Sequence, residues 1–186
     1  MRQRLRPAHS PEQLAHIYAA PHDSSRWRDH RVRVAVTLEL ARGYLHDNPG
    51  SVTSVADLSC GDATIARSLG ADTVVLGDYA PGYDHHGPIE VTIHRIPTVD
   101  LFVCSETLEH VDDPDLVLAA IRAKTKRLVL STPVDCWGDA NVEHYWAWSA
   151  EHVEGMLRTA GFDVDAFTRL DMRRWSPYVF GIWACS

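Results

Sequence analysis

The stretch Val55-Ala56-Asp57-Leu58-Ser59-Cys60-Gly61-Asp62-Ala63 decides the fold. It begins inside an apolar run, residues 52–58, that reads as a buried strand, and it ends at the opening of a helix over 62–69 that Gly70 stops. Gly61 lies between the two, and with no side chain it lets a ligand come close to the backbone of a strand-to-helix turn. The stretch from Asp57 to Asp62 is therefore the ligand site that the sequence supports best.

Outward from this turn, strand and helix signals alternate. Residues 73–77 form an apolar strand ending at Asp78, 81–88 are rich in turn formers, 89–93 are a short β-branched run, and 100–105 read as the next strand. Asp113-Pro114 caps a helix to about Ala123, 127–131 make another strand that Pro133 is expected to end, and Ser149 caps a helix through Arg158 that Gly161 closes. Strands at 163–170 and 178–185 finish the chain. Before the sheet, Ser10-Pro11-Glu12-Gln13 caps a short helix to about Ala20. A longer helix over 29–45 carries Val32, Val36, Leu40 and Tyr44 on one stripe. Such alternation predicts a parallel sheet with helices on both faces.

With 186 residues, 45% of them hydrophobic, the chain suits one α/β domain with a helical cap region at 1–46 and a core at 52–186. Its 25 acidic and 18 basic residues give a net charge of -7, which opposes attraction to a phosphate backbone, so nucleic acid is not the expected partner. Arginines at 2, 4, 6, 26, 28, 31 and 33 make the amino-terminal end locally basic, a solvated face or a contact for an anionic ligand. Cysteines at 60, 104, 136 and 185 have no CxxC spacing, which supports neither structural zinc nor a dithiol and fits a reducing cytoplasm. The start, MRQRLRPAHS, has no apolar stretch behind its charges, and no run of about eighteen apolar residues occurs, so neither secretion nor membrane spanning is expected.

The segment VADLSCGDA resembles the first motif of the class I S-adenosylmethionine-dependent methyltransferases, an acid followed by glycines at alternate positions of a strand-to-helix turn. The resemblance implies a Rossmann-like seven-stranded mixed sheet of order 3-2-1-4-5-7-6 with the last strand antiparallel, and S-adenosylmethionine as cofactor. Asp57 matches the family's acid, implied to lie near the methionine ammonium, and Ser59, Cys60 and Gly61 form the loop; Ser59 and Ala63 stand where glycines are commoner. Asp78, with Tyr79 after it, ends the second strand where a carboxylate can accept from both ribose hydroxyls. A nicotinamide dinucleotide fold uses an acid in a similar place, and spacing alone does not choose between them. The loop does choose: a GxGxxG turn brings three glycines to a pyrophosphate, whereas this chain has one and follows it with Asp62, whose charge would repel that group.

CSETLEHVDDPDLVLAAI at 104–121 looks like the family's fourth-strand end, turn and helix. The resemblance puts Ser105 and Glu106 at the cofactor, with Glu106 near the transferable methyl and the acceptor. Glu109 and His110 look like the Glu-His pair of the small-molecule branch. His110, with an ordinary pKa near 6.5, either takes a proton from an acceptor or ties the loop to backbone. Glu109 reads as structural, because Val111 turns the segment back toward the core. Residues 131–164 resemble the fifth strand, substrate loop and penultimate helix, where His144 matches a frequent histidine. Of the rings at 137, 145, 146 and 148, at least one is expected to touch a ligand.

Residues 16–31 resemble the cap over the cofactor, with Tyr18 offering a hydroxyl, Trp27 an apolar wall, and Arg31 or Arg33 a cation for the cofactor carboxylate. His85, His86 and His94 lack the HExxH spacing, and His144 and His152 lie on separate elements, so no metal is implied. The implied activity is methyl transfer to an oxygen or nitrogen of a small polar or natural-product acceptor by a monomer or homodimer. Glu106, His110 and His144 are then the candidates for keeping the acceptor unprotonated. A noncatalytic cofactor-binding or protein-interaction domain is one rival. A ribose or terminal nucleic-acid methyltransferase is another, although CSET replaces the NPPY-like tetrapeptide of exocyclic-amine methylases.

Overall fold

The computed structural model describes residues 1–47 and 52–186. The elements run β1 (Arg2–Arg4), α1 (Pro11–Ile17), α2 (Arg28–Asp47), β2 (Ser54–Asp57), α3 (Thr64–Arg67), β3 (Thr73–Asp78), β4 (His85–His86) and α4 (Ile89–Thr92). They continue with β5 (Leu101–Ser105), α5 (Pro114–Arg122), β6 (Leu128–Val134), β7 (Trp146–Trp148), α6 (Ala150–Thr159), β8 (Val164–Asp171) and β9 (Val179–Cys185). Seven strands form one sheet of order β4-β3-β2-β5-β6-β9-β8, and β9 runs antiparallel to both of its neighbours. Counted along the sheet's own strands this is 3-2-1-4-5-7-6, the expected order.

Alternation along the strands feeds two cores. On β5, Leu101 and Val103 face α2 and α3 with Val55, Val129 and Ala184, while Phe102 and Cys104 face α4, α5 and α6 with Leu128, Leu130 and Trp183. Cys60, Cys104 and Cys185 are buried and all four cysteines are free thiols. Among the described residues, no helix is long and apolar enough to cross a membrane.

Several elements depart from expectation. The third strand is His85–His86, not residues 89–93, which turn as α4 and a 3-10 segment. Ile89, Ile93 and Ile96 recur at a helical interval and enter the core beneath α5, so burial outweighs the strand preference of branched side chains. Pro133 does not end β6: it pairs with Phe180, and its missing N–H is tolerated because β5 stops at Ser105, opposite Ser131. The buried residues of α2 are Asp29, Arg33, Val34, Thr37, Ala41 and Tyr44, so Tyr44 of the expected stripe is buried while Val32, Val36 and Leu40 lie beside the buried face. The first helix ends at Ile17, and α3 is only one turn long.

The basic amino-terminus is not a plain solvated face. Arg2 and Arg4 pair with Asp115 and Asp112 and stack on Trp146, where β1 and β7 form a two-stranded ribbon with no counterpart in the sequence-based expectation.

Candidate active site

The carboxyl ends of β2, β3 and β5 open on a cavity of about 660 Å³. In an open α/β sheet a crevice forms where the strand order reverses, here between β2 and β5. Asp57 ends β2, buried, with Oδ1 accepting from the Ser59 N–H at 3.2 Å. Burial pushes its carboxyl up to about 7. A cationic group beside it would hold it ionised.

Gly61 sits at φ +53°, and a Cβ there would come within 2.8 Å of the His22 carbonyl oxygen. The cap and the turn thus meet backbone to backbone, which only glycine permits. The Gly61 N–H donates to Asp78 Oδ2 and the Ala80 N–H to Asp78 Oδ1, each at 2.8 Å. Each oxygen keeps a lone pair for another donor. Ser24, in the cap, donates to Asp62 Oδ2 from N–H at 2.9 Å and from its hydroxyl at 2.6 Å. Burial opposes ionisation of Asp62, but the bonds from Ser24 and Thr64 outweigh it and hold the carboxyl below its ordinary range. Tyr18 and Tyr79 pack with ring centroids 5.6 Å apart on the wall nearby. Burial pushes the Cys60 thiol well up, so it packs as a small hydrophobe rather than a nucleophile.

A polar chain crosses the ends of β5 and β6. Arg33, buried on α2, donates to the Ser105 hydroxyl; Ser105 and Ser131 hydroxyls lie 2.8 Å apart, and Ser131 donates to Glu106 Oε1 at 3.1 Å. Glu106 has φ +54°, a left-handed conformation that side-chain-bearing residues seldom adopt, and its Oε1 lies 3.9 Å from Arg33 Nε. Burial pushes this carboxyl up against the opposing pull of Arg33.

Beyond Glu106 stand two imidazoles and a second buried glutamate. The 3-10 turn Leu108–His110 places Glu109 in the interior, where Thr132 donates to Oε2 at 3.0 Å while Oε1 is buried with no hydrogen-bond partner among the described residues. Burial and Glu106 push the Glu109 carboxyl up to about 8. His110 Nδ1 lies 3.2 Å from the Tyr18 hydroxyl, and burial pushes this imidazole well below its ordinary value. His144 Nδ1 lies 2.6 Å from Asp139 Oδ2. Burial disfavours its charged form, yet the bond to Asp139 and the charge of Glu109 carry it above the ordinary histidine value. The two rings meet edge to face with centroids 4.7 Å apart, across 34 residues of chain.

Of the residues predicted for the site, Tyr18, Asp57, Ser59, Cys60, Gly61, Asp78, Tyr79, Ser105, Glu106, His110 and His144 line this cavity. The aromatic expectation does not hold. None of the rings at 137, 145, 146 and 148 is on the wall. Trp148 is core, donating from its indole N–H to the Pro133 carbonyl, and Trp146 donates to Val111 beneath the arginines of β1. Pairing of β7 with β1 locks both rings away from the ligand edge. The aromatic wall comes instead from Trp27 and from Trp175, Tyr178 and Phe180 around the β8–β9 connection. Trp175-Ser176-Pro177-Tyr178, a turn-forming segment between the last two strands, was the available signal. Arg31 points away, donating to the Ser25 carbonyl, whereas Arg33 faces the cavity.

No protein-family model and no curated protein sequence matches the chain. Solved structures do. The 1,6-didemethyltoxoflavin-N1-methyltransferase of Burkholderia thailandensis, bound to 1,6-didemethyltoxoflavin and S-adenosylhomocysteine, is 17% identical with a TM-score of 0.62, over 97% of this chain and 92% of that one. The N-methyltransferase NodS of Bradyrhizobium japonicum WM9, in complex with S-adenosylhomocysteine, is 15% identical with a TM-score of 0.64, over 95% and 99%. The [4+2]-cyclase SpnF is 14% identical with a TM-score of 0.63, over 93% and 89%, so this architecture alone does not name a reaction. In strand order, in the antiparallel placement of β9 and in likeness to these structures, the chain has the fold of the class I S-adenosylmethionine-dependent methyltransferases.

Proposed function

We propose that the protein transfers a methyl group from S-adenosylmethionine to an oxygen or nitrogen of a small polar or natural-product acceptor. One observation carries the reading: a single cavity joins the buried acids Asp57 and Asp78, on either side of the Gly61 turn, to Glu106, His110 and His144, with Glu109 buried behind the two imidazoles. The first end suits the cofactor. Asp57 is a buried acid able to face an ammonium, Asp78 has spare lone pairs for ribose hydroxyls, and Arg33 is a buried cation on the cavity wall. When bound, the cofactor supplies an electrophilic methyl on a sulfonium. The chain's work is to align the acceptor, exclude water and keep the acceptor atom unprotonated. His144 is the best placed group for the last duty, since Asp139 orients its ring and leaves Nε2 turned from that bond. The net charge of -7 favours a small acceptor over nucleic acid.

Calorimetric titration with S-adenosylmethionine, S-adenosylhomocysteine and NAD tests the first half. The two sulfur ligands are expected to bind and NAD to bind much more weakly; comparable NAD binding would sink the assignment. An acceptor screen read by mass, seeking a gain of about 14 daltons for a methyl replacing hydrogen, tests the second half against a noncatalytic binding domain.

Asp78→Ala is expected to weaken cofactor binding roughly ten- to a hundredfold, about 1.5–3 kcal/mol for lost charge-assisted bonds. It should also lower stability, because the buried N–H groups of Gly61 and Ala80 lose their acceptor at a cost of about 1–3 kcal/mol. Calorimetry and urea unfolding read the two effects separately, and an unchanged dissociation constant would place the ribose elsewhere.

A further inference from the structure

We propose that Glu109, His110 and His144 bind a divalent first-row transition-metal ion at the acceptor end of the cavity. One potential ligand atom from each lies within 4.8 Å of the other two, and Glu109 Oε1 stands 3.8 Å from His110 Nε2. In a tetrahedral site with bonds near 2.0–2.1 Å, ligand atoms are about 3.4 Å apart, so the triangle closes with side-chain shifts of about 1 Å.

Three further features point to a ligand. Glu109 is fully buried, yet its Oε1 has no hydrogen-bond partner among the described residues, although Thr132 satisfies Oε2. A bare carboxylate oxygen in the interior is costly, and a cation facing it removes that cost. The imidazoles, in turn, are held from behind. Asp139 accepts from His144 Nδ1–H at 2.6 Å, which leaves a lone pair on Nε2. The Tyr18 hydroxyl lies 3.2 Å from His110 Nδ1 and faces the Glu143 carboxylate, so it can donate to Glu143 while accepting from His110. A carboxylate or hydroxyl behind each ring, with the opposite nitrogen turned inward, is how metal-binding histidines are oriented.

Glu106 is outside the ligand set, because Ser131 and Arg33 engage its Oε1. Two imidazoles and one carboxylate favour manganese, iron, cobalt or zinc over magnesium or calcium, which take oxygen ligands. His110 and His144 line the cavity, so the ion's remaining positions face the acceptor. For its role the site rests on the methyl-transfer reading, with the ion taking over from His144, then its ligand, the duty of keeping the acceptor unprotonated: the ion binds an acceptor hydroxyl, lowers its pKa and aims a remaining lone pair at the methyl. The ion leaves the reaction unchanged, and the proton passes to solvent.

Co²⁺ tests the site in chelator-treated, untagged protein, followed by calorimetry and by visible absorption. One Co²⁺ per chain is expected, with d–d bands of mixed nitrogen and oxygen ligation and no competition from equimolar Mg²⁺. Glu109→Gln should weaken Co²⁺ at least tenfold, His144→Ala should abolish the bands, and Asp139→Asn should weaken binding about 10- to 100-fold through ring orientation. Circular dichroism melts confirm that each variant is folded, and Glu109→Gln preserves the Thr132 contact if His144→Ala fails to fold. His22 Nε2 and His30 Nδ1, 3.0 Å apart, are the other paired imidazoles, and His22→Ala should leave Co²⁺ uptake unchanged.

Failure to bind Co²⁺, binding undiminished in both Glu109→Gln and His144→Ala, or loss of binding in His22→Ala overturns the proposal. S-adenosylmethionine is titrated into the same samples. Cofactor binding without Co²⁺ removes the metal and keeps the methyl-transfer reading, whereas Co²⁺ binding without the cofactor keeps the site and removes that reading.

Discussion

His144→Ala is expected to lower turnover about 10²- to 10⁴-fold while changing the dissociation constant of S-adenosylmethionine less than about threefold, the range that a positioned proton-transfer group contributes. The asymmetry follows from where the ring sits. His144 reaches the cavity from the loop after β6, next to Glu109 and His110, while the proposed cofactor acids end β2 and β3. Sequence position alone favours His110, which the preceding turn ties to Glu106. The geometry reverses that order: Asp139 holds His144 in one orientation, whereas His110 is wedged between Tyr18 and Glu109. Asp139→Asn should therefore lower turnover as well, by less than loss of the ring, because the amide can offer its N–H to Nδ1 and stabilise the wrong tautomer. Single-turnover kinetics at saturating cofactor read the chemical step. If His144→Ala and His110→Ala both kept wild-type turnover, alignment alone would account for the rate.

What the sequence disclosed was set by how local each signal is. The Asp57–Gly61 turn, the Asp78 strand end and the Asp113-Pro114 cap are complete within a few residues, and each is where it was expected. Residues 89–93 depart from the strand expectation because branched side chains suit a strand and a buried helical turn alike, and only α5, packed above Ile89 and Ile93, selects the helix. The aromatic loop failed for a related reason. Four rings in twelve residues suggest a ligand cover, but whether Trp146 and Trp148 face a ligand depends on β1, which lies more than 140 residues earlier in the chain. Asp139 behind His144, and the bare Oε1 of Glu109 beside His110, are likewise properties of three-dimensional neighbours that no spacing in the sequence encodes. The site was thus legible as a set of residues, and its internal wiring was not.

Asp57→Asn should weaken S-adenosylmethionine about ten- to a hundredfold at pH 7.5, the effect of removing a charge-assisted partner from a buried cation. The larger signature is in the pH dependence. Burial raises the Asp57 carboxyl to about 7 in the free protein, far above the 3.8 expected of it unfolded. An ammonium group must find the ionised form, so wild-type affinity is expected to rise through pH 5–7 by nearly tenfold per unit and to level off above; the Asn variant should be flat across that window. Stability runs the other way. A carboxyl whose folded value is raised stabilises the fold fully only below its unfolded value, and that contribution is lost as pH rises through the folded value. Free wild-type protein should therefore lose on the order of a few kcal/mol between pH 4 and pH 7 from this group, with Glu109 adding a similar loss up to about 8. Asp57→Asn removes the first loss and leaves the second, so the variant should be the more stable protein at pH 7.5 without cofactor and the less stabilised one with it. Thermal melts at paired pH values, with and without S-adenosylmethionine, measure both halves. A variant that lost affinity but kept the wild-type pH slope would show that Asp57 shapes the turn through Ser59 and does not meet the ammonium.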